Sequence, residues 1–189
     1  MTVEEWGFTV KVDIEAMVAS DWQHVRAIYL EGIETGQATF EVGSPSWEEW
    51  DAAHLKFCRF VARADARVLG WAALSPVSRR CCYSGVAEVS VYVSANSRGL
   101  GIGRQLLVAT ISESESHGIW TLQGATFPDN EASRRLQKAC SFREIGRRER
   151  IAQLRGVWRD TILTERRSTT IGTDNHGDSA SVARQPFRQ

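Results

Sequence analysis

The chain has 189 residues, 42% apolar and 24% charged, which is enough to bury the core of one domain of ordinary size. Its 23 Lys and Arg balance 23 Asp and Glu, and no basic stripe breaks that balance, so no nucleic-acid footprint is expected. Apolar runs fall far short of the roughly 20 residues that span a bilayer, and the opening MTVEEWGFTV carries acids where a secretory leader would carry basic residues, so the expectation is a cytoplasmic protein with no membrane partner.

Val10 to Glu15 alternates apolar and polar residues and reads as a strand. Ser20-x-x-Gln23 reads as a capping box opening a helix with Val25, Ile28, Tyr29 and Ile33 on one face. Thr35-Gly36-Gln37 ends it, and Ala38-Thr39-Phe40-Glu41 reads as an ordered connection to a short helix that starts at Ser46-x-x-Glu49 and carries Trp47 and Trp50. Phe57 to Arg63 and Val68 to Leu74 form a hairpin pattern across Asp65-Ala66-Arg67, which Ser75-Pro76 breaks. A polar stretch with Arg79 and Arg80 leads to a third strand, Val86 to Val93.

From Gly101 to His117 the period turns helical. Ile102, Leu106 and Ala109 lie on one side and Leu107, Val108 and Ile111 on the other, so the first half of this helix should be largely buried. Ile119 to Phe127 is a strand, Asn130 to Ala139 a short helix, and two strand-like runs end the fold near Leu163. Residues 167–189 offer only Ile171, Val182 and Phe187 as large apolar groups and read as a disordered tail behind one domain over residues 1–166. The order βααβββαβαββ specifies a single mixed α/β (α+β) domain around a central sheet.

Cys58, Cys81, Cys82 and Cys140 show neither C-x-x-C spacing nor a disulfide framework. The four histidines do not gather near Cys81-Cys82, so thiols in a reducing compartment, without a metal, are expected.

The chemistry concentrates in Val89-Ser90-Val91-Tyr92-Val93-Ser94-Ala95-Asn96-Ser97-Arg98-Gly99-Leu100-Gly101-Ile102-Gly103-Arg104. A strand enters a loop with three alternate glycines, and a helix starts at once. Glycines admit an anion to the backbone, and the helix N-terminus offers unpaired N–H groups and a favourable dipole, so the segment reads as a pyrophosphate cradle. No Lys-Ser/Thr follows Gly103, which excludes a Walker loop, and the spacing of Gly99, Gly101 and Gly103 excludes the dinucleotide fingerprint. What stands here is R-x-x-G-x-G.

With Asp21, Val25, Ile28 and Tyr29 in the first helix and Phe127-Pro128-Asp129-Asn130-Glu131-Ala132-Ser133 later, this motif resembles the GCN5-related N-acetyltransferases over about Val10 to Arg166. Ala38-Thr39-Phe40-Glu41, Trp47-x-x-Trp50, Glu88-Val89-Ser90-Val91-Tyr92-Val93 and Trp158-x-Asp160 are similar to the branch that acetylates phosphinothricin, methionine sulfoximine or arsinothricin.

The resemblance implies a sheet with a V-shaped splay between two parallel strands that holds acetyl-CoA as co-substrate, with no metal. Val91, Tyr92 and Val93 would meet the pantetheine, and Arg98, Gly99, Leu100, Gly101, Ile102, Gly103 and Arg104 the pyrophosphate. Asn130 and Ser133 would contact the pantetheine arm, although Asn130 also suits a plain helix N-cap. Thr39, Phe40, Glu41, Arg79, Arg80 and Tyr83 would line the acceptor side, and relatives in this branch form homodimers.

An ammonium cannot attack a thioester, so a base must take a proton from the acceptor amine. Glu88 lies on the opposite strand face from Val89, Val91 and Val93, and a carboxylate there needs a partner or a task. The resemblance makes it the base; an ion pair with Arg79 or Arg80 is the alternative. Relatives carry Tyr or His where Gln137 stands, so the acid for the thiolate falls to Tyr92 or water. The glycine usual before the final Phe is Ser141. The implied activity is acetylation of a small amino-acid-like amine, by direct attack with a backbone N–H near Val93 holding the carbonyl oxygen. Another amine or a protein N-terminus as acceptor, and a CoA sensor without turnover, are the rival readings.

Overall fold

The computed structural model describes residues 2–5 and 8–173. Its strands are β1 (Thr2–Glu5), β2 (Phe8–Lys11), β3 (Asp13–Ala16), β4 (Phe60–Ala64), β5 (Arg67–Pro76), β6 (Val86–Val93), β7 (Thr121–Thr126), β8 (Arg143–Leu154) and β9 (Val157–Arg167). The helices are α1 (Trp22–Glu34), α2 (Trp47–Ala53), α3 (Ile102–Ser116) and α4 (Glu131–Ala139). Apart from the β1–β2 hairpin, this is the element order read from the sequence. The single predicted strand over Val10 to Glu15 is divided: β2 pairs with β1, while β3 joins the main sheet.

Seven strands form that sheet in the order β3-β4-β5-β6-β7-β9-β8. Only β6 and β7 run parallel, and they pair over three positions alone: Val86↔Thr121, Ala87↔Leu122 and Glu88↔Gln123. Beyond Glu88 the two strands part. Each keeps its outer neighbour, β6 pairing with β5 up to Val93↔Gly70 and β7 with β9 up to Thr126↔Ile162. The expected mixed sheet with a splay is therefore present, and Glu88 sits at its apex.

Helices α1 and α2 cover one face, where Trp22, Val25, Ile28, Trp50 and Trp71 bury a tryptophan-rich cluster. Helix α3 covers the other, with Ile102, Leu106 and Leu107 almost wholly buried. Val108, expected inside, is 45% exposed, because the buried stripe runs through Thr110 and Ser114 instead. Strand β5 continues through Ser75 and Pro76, with Pro76 opposite Ala87, so the proline ends the strand rather than breaking it early. Ser46 does cap α2 in a reciprocal box: its Oγ accepts from the Glu49 N–H at 3.2 Å, and Glu49 accepts from the Ser46 N–H at 2.8 Å.

The start of α1 differs from expectation. No Ser20 box forms; Asp21, 5% exposed, accepts from the Val18 N–H at 3.0 Å and from the Arg63 guanidinium at 2.6 Å. A carboxylate that satisfies both a backbone donor and an arginine outcompetes a serine hydroxyl here. Asp21→Ala is expected to cost about 1–2 kcal/mol in urea unfolding, because it removes the acceptor of the part-buried Val18 hydrogen bond and leaves the Arg63 guanidinium with Glu15 alone.

The end of the domain also needs correction. Residues 167–173 are not a loose tail. Arg167 ends β9, and the Ser168 N–H donates to the Trp120 carbonyl at 2.7 Å. Thr170 then reaches Glu115 at 3.2 Å. The rest of the predicted tail lies outside the described residues.

Candidate active site

The gap between β6 and β7 opens into a cleft of about 800 Å³. Its β6 wall follows from strand alternation. The Ser94 N–H donates to Leu69 of β5 at 2.9 Å, so the backbone groups of Val93, Val91 and Val89 point the other way, into the gap. Val89 still takes part in the last β6–β7 pairing and the Val93 carbonyl accepts from Arg98 Nε at 3.4 Å, which leaves the Val91 groups and the Val93 N–H without a strand partner, as an extended amide-bearing chain would need.

At the open end, Gly99 and Gly101 take φ +78° and +77°, and a Cβ at either would meet nothing within 4 Å. Gly101 caps α3 with no side-chain acceptor. The first intrahelical bond runs from the Gln105 N–H to the Gly101 carbonyl at 3.1 Å, so the N–H groups of Ile102, Gly103 and Arg104 lack helical partners. That loop geometry fits a pyrophosphate. Arg98, Gly99, Gly101, Ile102, Gly103 and Arg104 all border the cleft. Leu100 does not: its side chain packs on the cluster of Val12, Ile102 and Leu106. Gly103 has a second duty, since a Cβ there would stand 3.2 Å from Leu136 of α4.

The connection between α1 and α2 closes the mouth and is tied to both arms. Tyr92 Oη donates to the Ala38 carbonyl at 3.4 Å, and Asn130 Nδ2 donates to the Gln37 carbonyl at 3.0 Å. Phe40 meets Phe127 edge-on at 4.8 Å. Asn130 is also the α4 N-cap, its Oδ1 accepting from the Ser133 N–H at 3.1 Å, so both halves of its amide are already committed. Thr39, Phe40, Glu41, Asn130 and Ser133 line the cleft.

Arg79, Arg80 and Tyr83 do not. They lie exposed on the turn between β5 and β6, with the Arg80 guanidinium over the Tyr83 ring at 5.8 Å. Adjacency to β6 in sequence misled here, because β5 runs on through Pro76 and sends the turn outward. The alternative ion pair for Glu88 is absent too: no described residue pairs with its carboxylate.

Glu88 shares a sheet face with Ser90 and Tyr92 and borders the cleft together with Ser75, its partner on β5. The carboxylate is open to solvent from the cleft, yet protein encloses its other sides. Desolvation raises its pKa above the ordinary carboxylate value, opposed by the positive charge of Arg148. Accessible surface and desolvation pull apart here because a groove admits water molecules without restoring bulk solvent. A carboxylate of this kind suits proton abstraction.

Nearby, Tyr29 and Tyr92 pack edge-on at 5.0 Å, and burial raises both phenol pKa values, so both keep their protons at neutral pH. Gln137 is 7% exposed and accepts from Thr164 Oγ1 at 2.7 Å. An amide so placed can donate a hydrogen bond but cannot supply a proton.

Sequence reasoning missed the far wall. Thr126 and Thr161 both line the cleft with buried hydroxyls that have no hydrogen-bond partner among the described residues. Cys58 and Cys140 are buried and Cys81 and Cys82 exposed, all as free thiols, and burial pushes Cys58 up to about 12. Among the described residues no group of three or more His, Cys, Asp or Glu gathers, and no helix is long and apolar enough to cross a membrane.

The profile of the Acetyltransferase (GNAT) family matches residues 22–142. A phosphinothricin N-acetyltransferase of Alcaligenes faecalis is 33% identical over 153 residues, 77% of each chain. An L-methionine sulfoximine/L-methionine sulfone acetyltransferase of Pseudomonas aeruginosa is 33% identical over 102 residues, 54% of this chain and 59% of that one. Among solved structures, a GNAT phosphinothricin acetyltransferase of Sinorhizobium meliloti in complex with acetyl-CoA superposes with a TM-score of 0.73 at 25% identity, covering 87% of this chain and 97% of that one.

Proposed function

Because this chain belongs to the acetyltransferase (GNAT) family, and so is an acetyl-CoA-dependent acyltransferase, we propose that its acceptor is a small amino-acid-like amine with an anionic head. Phosphinothricin and methionine sulfoximine are the model acceptors, and arsinothricin presents the same outline. The observation that carries this reading is the unpaired Glu88 carboxylate at the apex of the splay, beside a cleft enclosed by Thr39, Phe40 and Tyr92. Such a pocket suits a compact molecule better than a protein chain terminus.

Acetyl-CoA supplies an acyl group already activated as a thioester. The chain's part is to orient the amine, take its proton and steady the carbonyl oxygen. Glu88 accepts the proton, directly or through a water in the groove. A backbone N–H facing the gap, at Val91 or Val93, donates to the carbonyl oxygen as charge grows there. Gln137 leaves the departing sulfur without a protonating side chain at that position, so water or the protonated Tyr92 fills the role. Turnover in the cytoplasm would be a detoxification step, since acetylation removes the amine's charge and lone pair.

Val157 and Trp158 are 62% and 54% exposed on a hairpin whose outer strand, β8, has no sheet partner on its far side. Two chains meeting at the exposed Val157 and Trp158 of this hairpin would form the homodimer expected of the branch; sedimentation should give twice the monomer mass.

The direct test is thiol release from acetyl-CoA with phosphinothricin, methionine sulfoximine and a panel of other amines. Release is expected with the first two at kcat/KM well above the panel. A chain that binds CoA and releases no thiol with any amine is a sensor, and the enzymatic reading fails.

A further inference from the structure

The β8–β9 hairpin is rich in arginine, and most of those arginines are spoken for. Arg147 pairs with Asp160 at 2.5 Å, Arg159 with Asp129 at 3.1 Å and Arg166 with Glu115 at 3.0 Å; Arg143 and Arg167 share Glu165. Arg148 has no hydrogen bond or ion pair with any described residue. Register also fixes which face of the sheet it stands on. Register places Arg148 opposite Thr161, and Glu88, Gln123 and Glu165 in one cross-strand row. Thr161 and Glu165 are four residues apart on a regular stretch of β9, so Glu88, Thr161 and Arg148 share one face of the sheet. It is the face opposite Thr164, which bonds to Gln137 of α4. Thr161 contributes a buried hydroxyl that lines the cleft and lacks a partner.

The chain spends a bulge at this point. Between Arg148 and Ala152 strand β8 advances four residues while β9 advances two, from Thr161 to Arg159. Arg150 takes φ +45°, and Asp160 pins the distortion by accepting from the Arg150 N–H at 2.8 Å and from Arg147. Bulges of this kind re-aim side chains and gather beside active sites.

We propose that Arg148, with the Thr161 hydroxyl beside it, receives the anionic group of the acceptor, a carboxylate or a phosphinate, while Glu88 faces its amine. This inference rests on the acceptor class given above. A guanidinium free of internal partners can offer two parallel donors to such a group, and the orphaned hydroxyl can offer a third. It takes the role that sequence adjacency had given to Arg79 and Arg80. One cation and one carboxylate on the same face of the sheet select a zwitterionic acceptor over a plain amine.

The test compares wild type, Arg148→Ala, Arg148→Lys and Thr161→Val on phosphinothricin, its carboxamide and its phosphinate methyl ester. Arg148 is exposed and unpaired, so its variants should fold. Arg148→Ala is expected to raise KM for phosphinothricin about tenfold to hundredfold, the range of a hydrogen bond to a charged group. KM for acetyl-CoA should stay unchanged, and Arg148→Lys should recover part of the loss. The neutralised analogue that no longer distinguishes wild type from Arg148→Ala identifies which anion the arginine holds. An equal KM for phosphinothricin in wild type and Arg148→Ala, or an equal rise for all three acceptors, overturns the inference while wild-type turnover leaves the acceptor class standing. A wild-type chain that acetylates none of the three removes both.

Discussion

Glu88→Gln is expected to lower kcat roughly 10²–10⁴-fold, the usual contribution of a positioned general base, with the Kd for acetyl-CoA unchanged. The side chain stands at the last paired position before β6 and β7 part, so the amide keeps its shape at the apex and loses only its proton affinity. Burial raises the carboxylate's pKa, which fixes the sign of the pH dependence. The basic form exists above that raised pKa, and wild-type kcat/KM should fall as pH drops through a value above the ordinary carboxylate range. In the variant this limb disappears, and the deficit against wild type shrinks toward high pH as more acceptor amine is already neutral. Folding should not suffer. A carboxylate whose folded pKa is raised opposes stability once ionised, so a neutral isostere is expected to match or slightly exceed the wild-type Tm. Wild-type kcat at neutral pH in a folded Glu88→Gln would move the base elsewhere on the cleft.

The elements around the splay were legible because their signals are local. Alternation along Val86–Val93 put Glu88 on the face away from Val89, Val91 and Val93, and the glycine loop announced both the end of β6 and the start of α3. Even the exception was visible: Ser141, standing where relatives carry glycine, adopts φ +66°, a left-handed backbone that a serine occupies at some cost. What could not be read were relations that depend on register between distant strands. Thr161 and Arg148 join the Glu88 face only because β7 pairs with β9 and β9 with β8, across more than one crossover. The bulge at Arg150 has no glycine or proline to mark it. Asp160, noted in the sequence as part of Trp158-x-Asp160, turns out to hold that bulge rather than to touch the cleft. The same limit explains Arg79 and Arg80, placed near the acceptor because they precede β6 in sequence, whereas the length of β5 decides where their turn points.

Gly103→Glu is expected to weaken acetyl-CoA binding by two or more orders of magnitude while the domain stays folded. Gly103 lies in the first turn of α3, whose N–H groups are free to meet an anion, and it borders the cleft. A carboxylate there meets two opposite consequences. For the helix it is favourable: glutamate propagates helix better than glycine and its charge complements the N-terminal dipole, together on the order of 1 kcal/mol. That gain offsets the adjustment required of Leu136, whose terminal methyl stands 3.2 Å from the new Cβ and can swing aside. For a bound pyrophosphate it is unfavourable. Two like charges about 5 Å apart at an effective dielectric of about 20 repel by roughly 3 kcal/mol, already more than two decades in Kd, and the diphosphate carries more than one charge. Gly103→Gln, nearly the same in volume and without the charge, should lose far less, which separates repulsion from crowding against α4. The measurements are calorimetric Kd for acetyl-CoA and thermal Tm on both variants. If both variants are folded and both bind as wild type does, the cradle at the start of α3 does not hold the phosphates; if both lose affinity equally, the α3–α4 contact rather than the anion site governs binding.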